Sequence, residues 1–135
     1  MKYLIGFFLG IFIFINFCSA EGFIGIEEYM DKNGVKNSYD EGFIHLRCSG
    51  LIMALIKFKP SEERFMLYAE DQFTKAGVAY LQWGQVKPDE VMKQIGDSLV
   101  PIVDHYYNEI KEKQKKEGEV FSGLLAREFK FCLKF

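Results

Sequence analysis

Hydrophobic residues recur at intervals of three and four along most of the chain, which is the spacing that places side chains on one face of an α-helix. The clearest example covers residues 41–58, where apolar residues occupy most of the helix circumference. A helix of this kind is usually central in a bundle. Gly50 and Ala54 are small residues four apart, and we expect a neighbouring helix to approach there closely with its own small residue, Gly77.

Two further segments have the same periodicity. One follows Lys59-Pro60, with Ser61 as the predicted N-cap, and ends at Gly84. The other covers residues 120–134, which form the predicted C-terminal helix.

The segment between these two helices allows two interpretations. Its apolar positions stay in phase from Val91 to Ile110, and a highly charged run follows to residue 117. This continuity favours one helix over 88–117 that is kinked at Pro101. A short helix that ends at Gly96, followed by a second helix, is the alternative.

Residues 21–40 lack a sustained period, and we expect an irregular lead-in that packs against the bundle, with at most one or two helical turns around Ile26 and Tyr29. No segment alternates apolar and polar residues in the manner of a strand. The pattern therefore predicts an all-α fold, a small bundle of about four helices.

The first 20 residues differ from the rest of the chain. A single charge at Lys2 precedes an apolar run that is shorter than the ~20 residues needed to span a bilayer comfortably. Small residues follow, as in a secretory signal peptide cleaved between Ala20 and Glu21. We therefore expect a periplasmic or secreted protein. An uncleaved N-terminal membrane anchor is the alternative, because residues 3–20 carry no charge.

Composition limits the remaining possibilities. The whole chain has a formal net charge of −2, and removal of Lys2 with the signal peptide makes this −3. Such a balance is unlike the basic surface of a nucleic-acid binder, so we expect no nucleic-acid partner. Residues 21–135 are long enough for one hydrophobic core and too short for two, which predicts a single helical domain.

Two cysteines, Cys48 and Cys132, remain after signal cleavage. An even count in an exported chain predicts a disulfide, here joining the first long helix to the C-terminal helix. The chain lacks the CxxC spacing of redox and zinc sites. Lipid attachment at Cys18 is disfavoured, because the bulky Phe17 precedes it.

The chain has two histidines, and each has polar neighbours at helical spacing. His45 lies four residues from both Glu41 and Ser49. Although these residue types make up hydrolytic triads, side chains stacked along one helix do not converge on a substrate. We interpret this row as a hydrogen-bonded stripe on the helix surface. His105 lies four residues before Glu109 and next to Asp104, where it could act as a general base.

Function is open at this level. We assign no catalytic, cofactor-binding or metal-binding residue, and we expect a non-enzymatic interaction or maintenance module of the cell envelope whose partner is another envelope protein. The alternative is a small enzyme, or a haem-binding or metal-binding bundle, that uses His45, His105 or both. Several aromatic residues could serve either as core or as a binding surface. These are Tyr68, Tyr80, Trp83, Tyr106 and Tyr107.

Overall fold

The computed structural model describes residues 23–60 and 63–135, and throughout these ranges the fold is all-α. The predicted signal peptide, its cleavage site between Ala20 and Glu21, and the predicted cap at Ser61 lie outside the described residues. The five helices are α1 (Ile26–Lys32), α2 (Ser38–Phe58), α3 (Glu63–Trp83), α4 (Val91–Glu117) and α5 (Gly123–Cys132). The predicted all-α bundle is confirmed. It has one helix more than the four expected, α1, which lies within the segment predicted to be an irregular lead-in.

Helix α2 is the centre of the bundle and packs against α3, α4 and α5. It begins at Ser38, earlier than the apolar pattern indicates, because Asn37 and Asp40 form a capping box. The Asn37 side-chain oxygen accepts from the backbone N–H groups of Tyr39 and Asp40, while the Asp40 carboxylate accepts from the N–H of Asn37. This reciprocal arrangement satisfies backbone donors that a helix start otherwise leaves without partners.

Helix α4 is continuous from Val91 to Glu117, with Pro101 inside it, so the single-helix interpretation is confirmed. Its buried residues stay in phase on both sides of the proline, and the burial of this face offsets the ~3 kcal/mol that an interior proline costs. Gly96 does not interrupt it. The helix ends at Gly118, whose φ of 71° lies in the left-handed region that glycine adopts readily.

The two glycines expected to face each other instead both face α4. A Cβ on Gly50 would lie 2.3 Å from Cγ2 of Ile102, and a Cβ on Gly77 would lie 3.0 Å from Sδ of Met92. The prediction of close helix approach at these positions is right, but the predicted partner is wrong. Side chains of α4 occupy the space beside both glycines, so the glycines allow α4 to pack closely against α2 and α3.

A disulfide joins Cys48 of α2 to Cys132 at the end of α5, as predicted, with their Cα atoms 5.4 Å apart. Both residues are fully buried. The Tyr68 hydroxyl donates a hydrogen bond to the backbone carbonyl of Cys132, which links α3 to the same point. Three helices therefore meet at this cross-link.

Among the described residues, no helix is both long enough and apolar enough to cross a membrane.

Candidate functional site: an acidic cleft between α1, α4 and α5

A cleft with a volume of about 820 Å³ lies between α1, α4 and α5. We call it the acidic cleft, because its lining carboxylates outnumber its lysine and arginine side chains, which are Lys32 and Arg127. The carboxylates belong to Glu27, Glu28, Asp31, Glu109, Glu112 and Glu128. A cleft lined by charges of one sign concentrates its potential and attracts counter-charged ligands.

Glu128 is the most deeply buried of these acids, with 3% of its surface exposed. Its Oε2 accepts a hydrogen bond from the Tyr106 hydroxyl at 2.9 Å, and its Oε1 accepts from the backbone N–H of Glu27 at 3.3 Å. The N-cap residue of α1 is Gly25, which has no side chain to cap the helix. The Glu128 carboxylate therefore caps α1 from α5, where the positive end of the helix dipole favours a negative charge.

The neighbouring residue on α5 holds α1 as well. The Arg127 guanidinium forms a forked pair with the Glu27 carboxylate, with Nε 2.9 Å from Oε1 and Nη2 3.0 Å from Oε2. Consecutive residues of α5 thus contact the side chain and the backbone of Glu27. Because the Arg127–Glu27 pair is exposed to solvent, it adds little to the free energy of folding, and its main effect is to fix the position of α1.

Aromatic rings form the base of the acidic cleft. The Phe23 ring stacks on the His105 imidazole, with centroids 3.6 Å apart and planes 14° apart, and meets Tyr106 edge-on at 5.3 Å. The guanidinium carbon of Arg47, a buried residue of α2, lies 4.1 Å from the Phe23 ring centroid and 4.7 Å from that of Phe43. This geometry is that of cation–π contacts, which favour the buried charge.

Burial shifts the acid–base properties of the groups at the base of the cleft. It raises the pKa of Glu128, and the pKa of Glu109 is raised by burial and then by the nearby Glu128 charge. Burial, followed by the positive charge of Arg47, lowers the pKa of His105. These directions all favour the neutral forms, as expected when water is partly excluded.

The arrangement offers little for catalysis. His105 Nε2 lies 3.9 Å from Oε2 of Glu109, beyond hydrogen-bonding distance. Of the described residues that line the acidic cleft, none is a serine, threonine or cysteine that could act as a nucleophile. The Glu128 carboxylate and the Tyr106 hydroxyl are bound to each other. The residues that line the cleft can instead bind a positively charged ligand at its rim.

Glu41, His45 and Ser49 of α2 form neither a triad nor the hydrogen-bonded surface stripe expected from the sequence, because Ser49 is fully buried and both His45 and Ser49 contact α3. His45 Nδ1 lies 2.7 Å from the side-chain oxygen of Gln72, while the Ser49 hydroxyl donates to the backbone carbonyl of Ala69 at 2.9 Å. Ser49 is therefore used to join α2 to α3. Burial lowers the pKa of His45, in agreement with a role in packing, and its ring also contacts Phe135.

The two histidines line different surface depressions. His45 borders a shallow one beside α3, and His105 borders the acidic cleft. Within residues 23–60 and 63–135, no three His, Cys, Asp or Glu side chains are grouped so that they could hold a metal ion.

The aromatic residues singled out in the sequence divide between core and surface. Tyr106 is fully buried beneath the cleft, and Tyr68 is bonded to the backbone at Cys132. Tyr80 and Trp83 both contact Tyr39 at the start of α2, where they cover the capped end of that helix. The Tyr107 ring lies elsewhere, with its centroid 6.5 Å from that of Phe58 at the end of α2, so the five residues do not gather around a common groove.

Periodicity alone missed the acidic cleft, although one signal was present. Glu128 lies three residues after Leu125 and four before Cys132, which places it on the buried face of α5. A carboxylate on such a face needs hydrogen-bond donors, so its position indicates a tertiary partner. The sequence does not show that this partner is the start of α1.

Comparison with known proteins adds no assignment: no protein-family model, no curated protein and no solved structure matches the chain.

Proposed function

We propose that this protein is an exported, non-enzymatic interaction module of the cell envelope, and that its acidic cleft binds a basic segment of another exported protein. The observation that carries the proposal is the combination of a large open cleft, an excess of carboxylates on its walls, and polar groups at its base that are already bonded to one another. Such a site is suited to recognition by charge and shape.

Export is supported by two separate features. The N-terminal pattern is that of a signal peptide, and the Cys48–Cys132 disulfide is a cross-link that persists in oxidising compartments. The intact mass of the exported product tests this part. A product that begins at Glu21 supports export with cleavage, whereas a product that keeps residues 1–20 and fractionates with membranes supports the anchored alternative.

The rim of the acidic cleft is where a basic partner would first make contact. Glu28 and Glu112 have half or more of their side-chain surface exposed, and each already pairs with a lysine four residues away on its own helix. Exposed pairs of this kind are weak and exchange readily. A lysine or arginine of the partner can therefore replace the internal lysine, and binding should weaken as salt concentration rises.

A pair of charge-matched variants tests the proposal. The purified, disulfide-bonded protein would be used to capture partners from an envelope extract at several salt concentrations. The cleft variant combines Glu28→Gln, Asp31→Asn and Glu112→Gln. The control variant removes the same number of negative charges outside the cleft, with Glu63→Gln, Glu70→Gln and Glu119→Gln.

We expect the captured partner to be lost from the cleft variant, retained by the control, and released by salt. Retention by the cleft variant at wild-type levels would contradict the proposal.

Titration with haemin tests the alternative function, a haem-binding bundle. A saturable Soret shift that disappears in His45→Ala or His105→Ala would favour a cofactor-binding bundle over an interaction module.

A further inference from the structure

A second depression, separate from the acidic cleft, lies between the end of α2, the start of α3 and the segment that leads into α5. It has a volume of about 330 Å³, and all but one of the described residues that line it are apolar. Phe58, Phe65, Phe121 and Phe129 contribute rings to it, and Leu55 is one of the aliphatic residues of α2 that complete it. We call it the apolar groove.

The rings of the apolar groove are in mutual contact but incompletely covered. The centroid of Phe129 lies 6.3 Å from that of Phe65 and 5.2 Å from that of Phe121, so the three rings join α3 to α5. Phe121 is nevertheless 52% exposed. Volumes of about 300–1,000 Å³ with mostly apolar walls are typical of small-ligand sites.

Among the described residues, a lysine lies at the edge of the groove. Lys59 is the one polar residue among those described in the lining, and none of the described carboxylates forms an ion pair with its side chain. No carboxylate is among the described residues that line the groove.

We propose that the apolar groove binds the acyl chain of a single-chain anionic amphiphile of the fatty-acid class, with its carboxylate beside Lys59. An apolar wall favours a ligand that is apolar along its length, because a polar group there would lose its hydrogen bonds to water and gain none in return. A cation at the mouth favours a negative headgroup. The combination selects a chain that is apolar along its length and anionic at one end.

Calorimetric titration of the purified, disulfide-bonded protein tests the proposal, with octanoate, decanoate and dodecanoate below their micelle-forming concentrations. We expect one saturable site whose affinity rises up to about fourfold for each added methylene until the groove is filled. Dodecyltrimethylammonium has a chain of the same length with a cationic head, and it should bind at least tenfold more weakly than dodecanoate.

Two exposed residues of similar size provide a matched pair of variants. Phe121 lines the apolar groove, whereas Leu124, which is 41% exposed, lines the acidic cleft. Phe121→Asp should reduce dodecanoate affinity by at least tenfold, and Leu124→Asp should leave it within about twofold. Lys59→Glu should weaken dodecanoate binding while the gain per methylene persists.

Four outcomes would overturn the proposal: no saturable binding of dodecanoate, equal affinity for the cationic and anionic chains, equal loss of binding in both aspartate variants, or dimers that Phe121→Asp disperses. The last outcome would assign the groove to a second copy of this chain. The cleft variant, whose substitutions all lie in the acidic cleft, should bind dodecanoate normally, so this proposal and the proposed function fail or succeed separately.

Discussion

A Cβ atom built on Gly25 would lie 2.5 Å from Oε1 of Glu128, so the glycine leaves the space that this carboxylate occupies. The same oxygen accepts the backbone N–H of Glu27, across a separation of 101 residues in the sequence. The start of α1 and the middle of α5 therefore specify each other. One wall of the acidic cleft depends on this contact.

We expect Gly25→Ala to destabilise the protein by about 1–3 kcal/mol, because the methyl group displaces a carboxylate that is fixed by Tyr106 and by the start of α1. Urea unfolding at neutral pH measures the change. In a Glu128→Ala background the same substitution should cost much less, since nothing then occupies the space. A neutral Gly25→Ala in the wild-type background would show that the carboxylate moves aside freely.

The free energy of unfolding of Glu128→Gln, taken relative to that of wild type, should increase as pH rises. Burial raises the pKa of Glu128, so the folded state holds its proton more tightly than the unfolded state does. The stability that this carboxyl contributes is therefore complete below its ordinary pKa near 4.3, and is lost as pH rises toward the higher folded value. Glutamine does not titrate but keeps an oxygen for the N–H of Glu27.

Free energies of unfolding for wild type and Glu128→Gln at pH 4 and pH 7 measure this effect. The free energy of unfolding of the glutamine variant minus that of wild type should be more positive at pH 7 than at pH 4. Movement in the opposite direction would mean that the hydrogen bonds from Tyr106 and Glu27 outweigh burial and hold the pKa down.

The sequence predicts those features of the fold that arise from local periodicity and from the count of cysteines. Helices α2 to α5 repeat apolar residues at helical intervals, and the Cys48–Cys132 pairing follows from an even count on two apolar faces. Helix α1 has only seven residues, too few to show a period, and its cap comes from Glu128. Such a contact depends on tertiary geometry that no local pattern encodes.

The small residues of α2 and α3 illustrate the same limit. Gly50 and Gly77 indicate where a helix approaches closely, and both do receive one. Which helix approaches depends on the three-dimensional arrangement, and α4 occupies both positions. The acidic cleft follows from this arrangement too, because its walls come from α1, α4 and α5, whose carboxylates are far apart in the sequence.

Two glycine-to-alanine substitutions should have opposite effects. A Cβ on Gly50 would overlap the Ile102 side chain, so Gly50→Ala should destabilise the protein by about 1–3 kcal/mol. A Cβ on Gly96 would have no neighbour within 4 Å, so Gly96→Ala should stabilise α4 by up to about 1 kcal/mol. Thermal unfolding of both variants is the measurement. A stabilised Gly50→Ala would mean that α4 does not rest on α2 at this point.

Removing the Tyr29 hydroxyl should weaken the junction between α1 and α2. This hydroxyl donates to Asp40 at 2.5 Å, while the Tyr29 ring stacks on Phe43 with centroids 4.0 Å apart. Tyr29→Phe keeps the stack and removes a hydrogen bond to a charged group, which should cost about 1–3 kcal/mol at pH 7. Urea unfolding gives the value.

The loss caused by Tyr29→Phe should shrink in acid. The Tyr29 hydrogen bond, together with the backbone N–H groups of Lys36 and Asn37, lowers the pKa of Asp40. Stability from a lowered carboxyl pKa is present above the ordinary value near 3.9 and is lost as pH falls through the folded value. A penalty that stays constant between pH 7 and pH 2 would contradict a charge-assisted bond.

Breaking the disulfide should have a large effect, because it closes a long loop. Cys48 and Cys132 are 84 residues apart, for which restriction of the unfolded chain contributes roughly 4.5 kcal/mol at 25 °C. Strain and residual structure in the unfolded chain usually lower this figure, so we expect about 2–4 kcal/mol, a large part of the ~5–15 kcal/mol of a typical domain. Reduction should therefore lower the melting temperature clearly.

The cysteine variants allow the cross-link to be separated from the packing around it. Cys48→Ala and Cys132→Ala should each destabilise by a similar amount, and the double variant should lose little more, because either single change already removes the same bond. Both side chains are fully buried, so each alanine leaves a cavity of comparable size. Thiol titration of the unfolded, unreduced protein should detect no free thiol. Two free thiols in protein taken from an oxidising compartment would show that the bond does not form there, and would leave α5 held to α2 by packing alone.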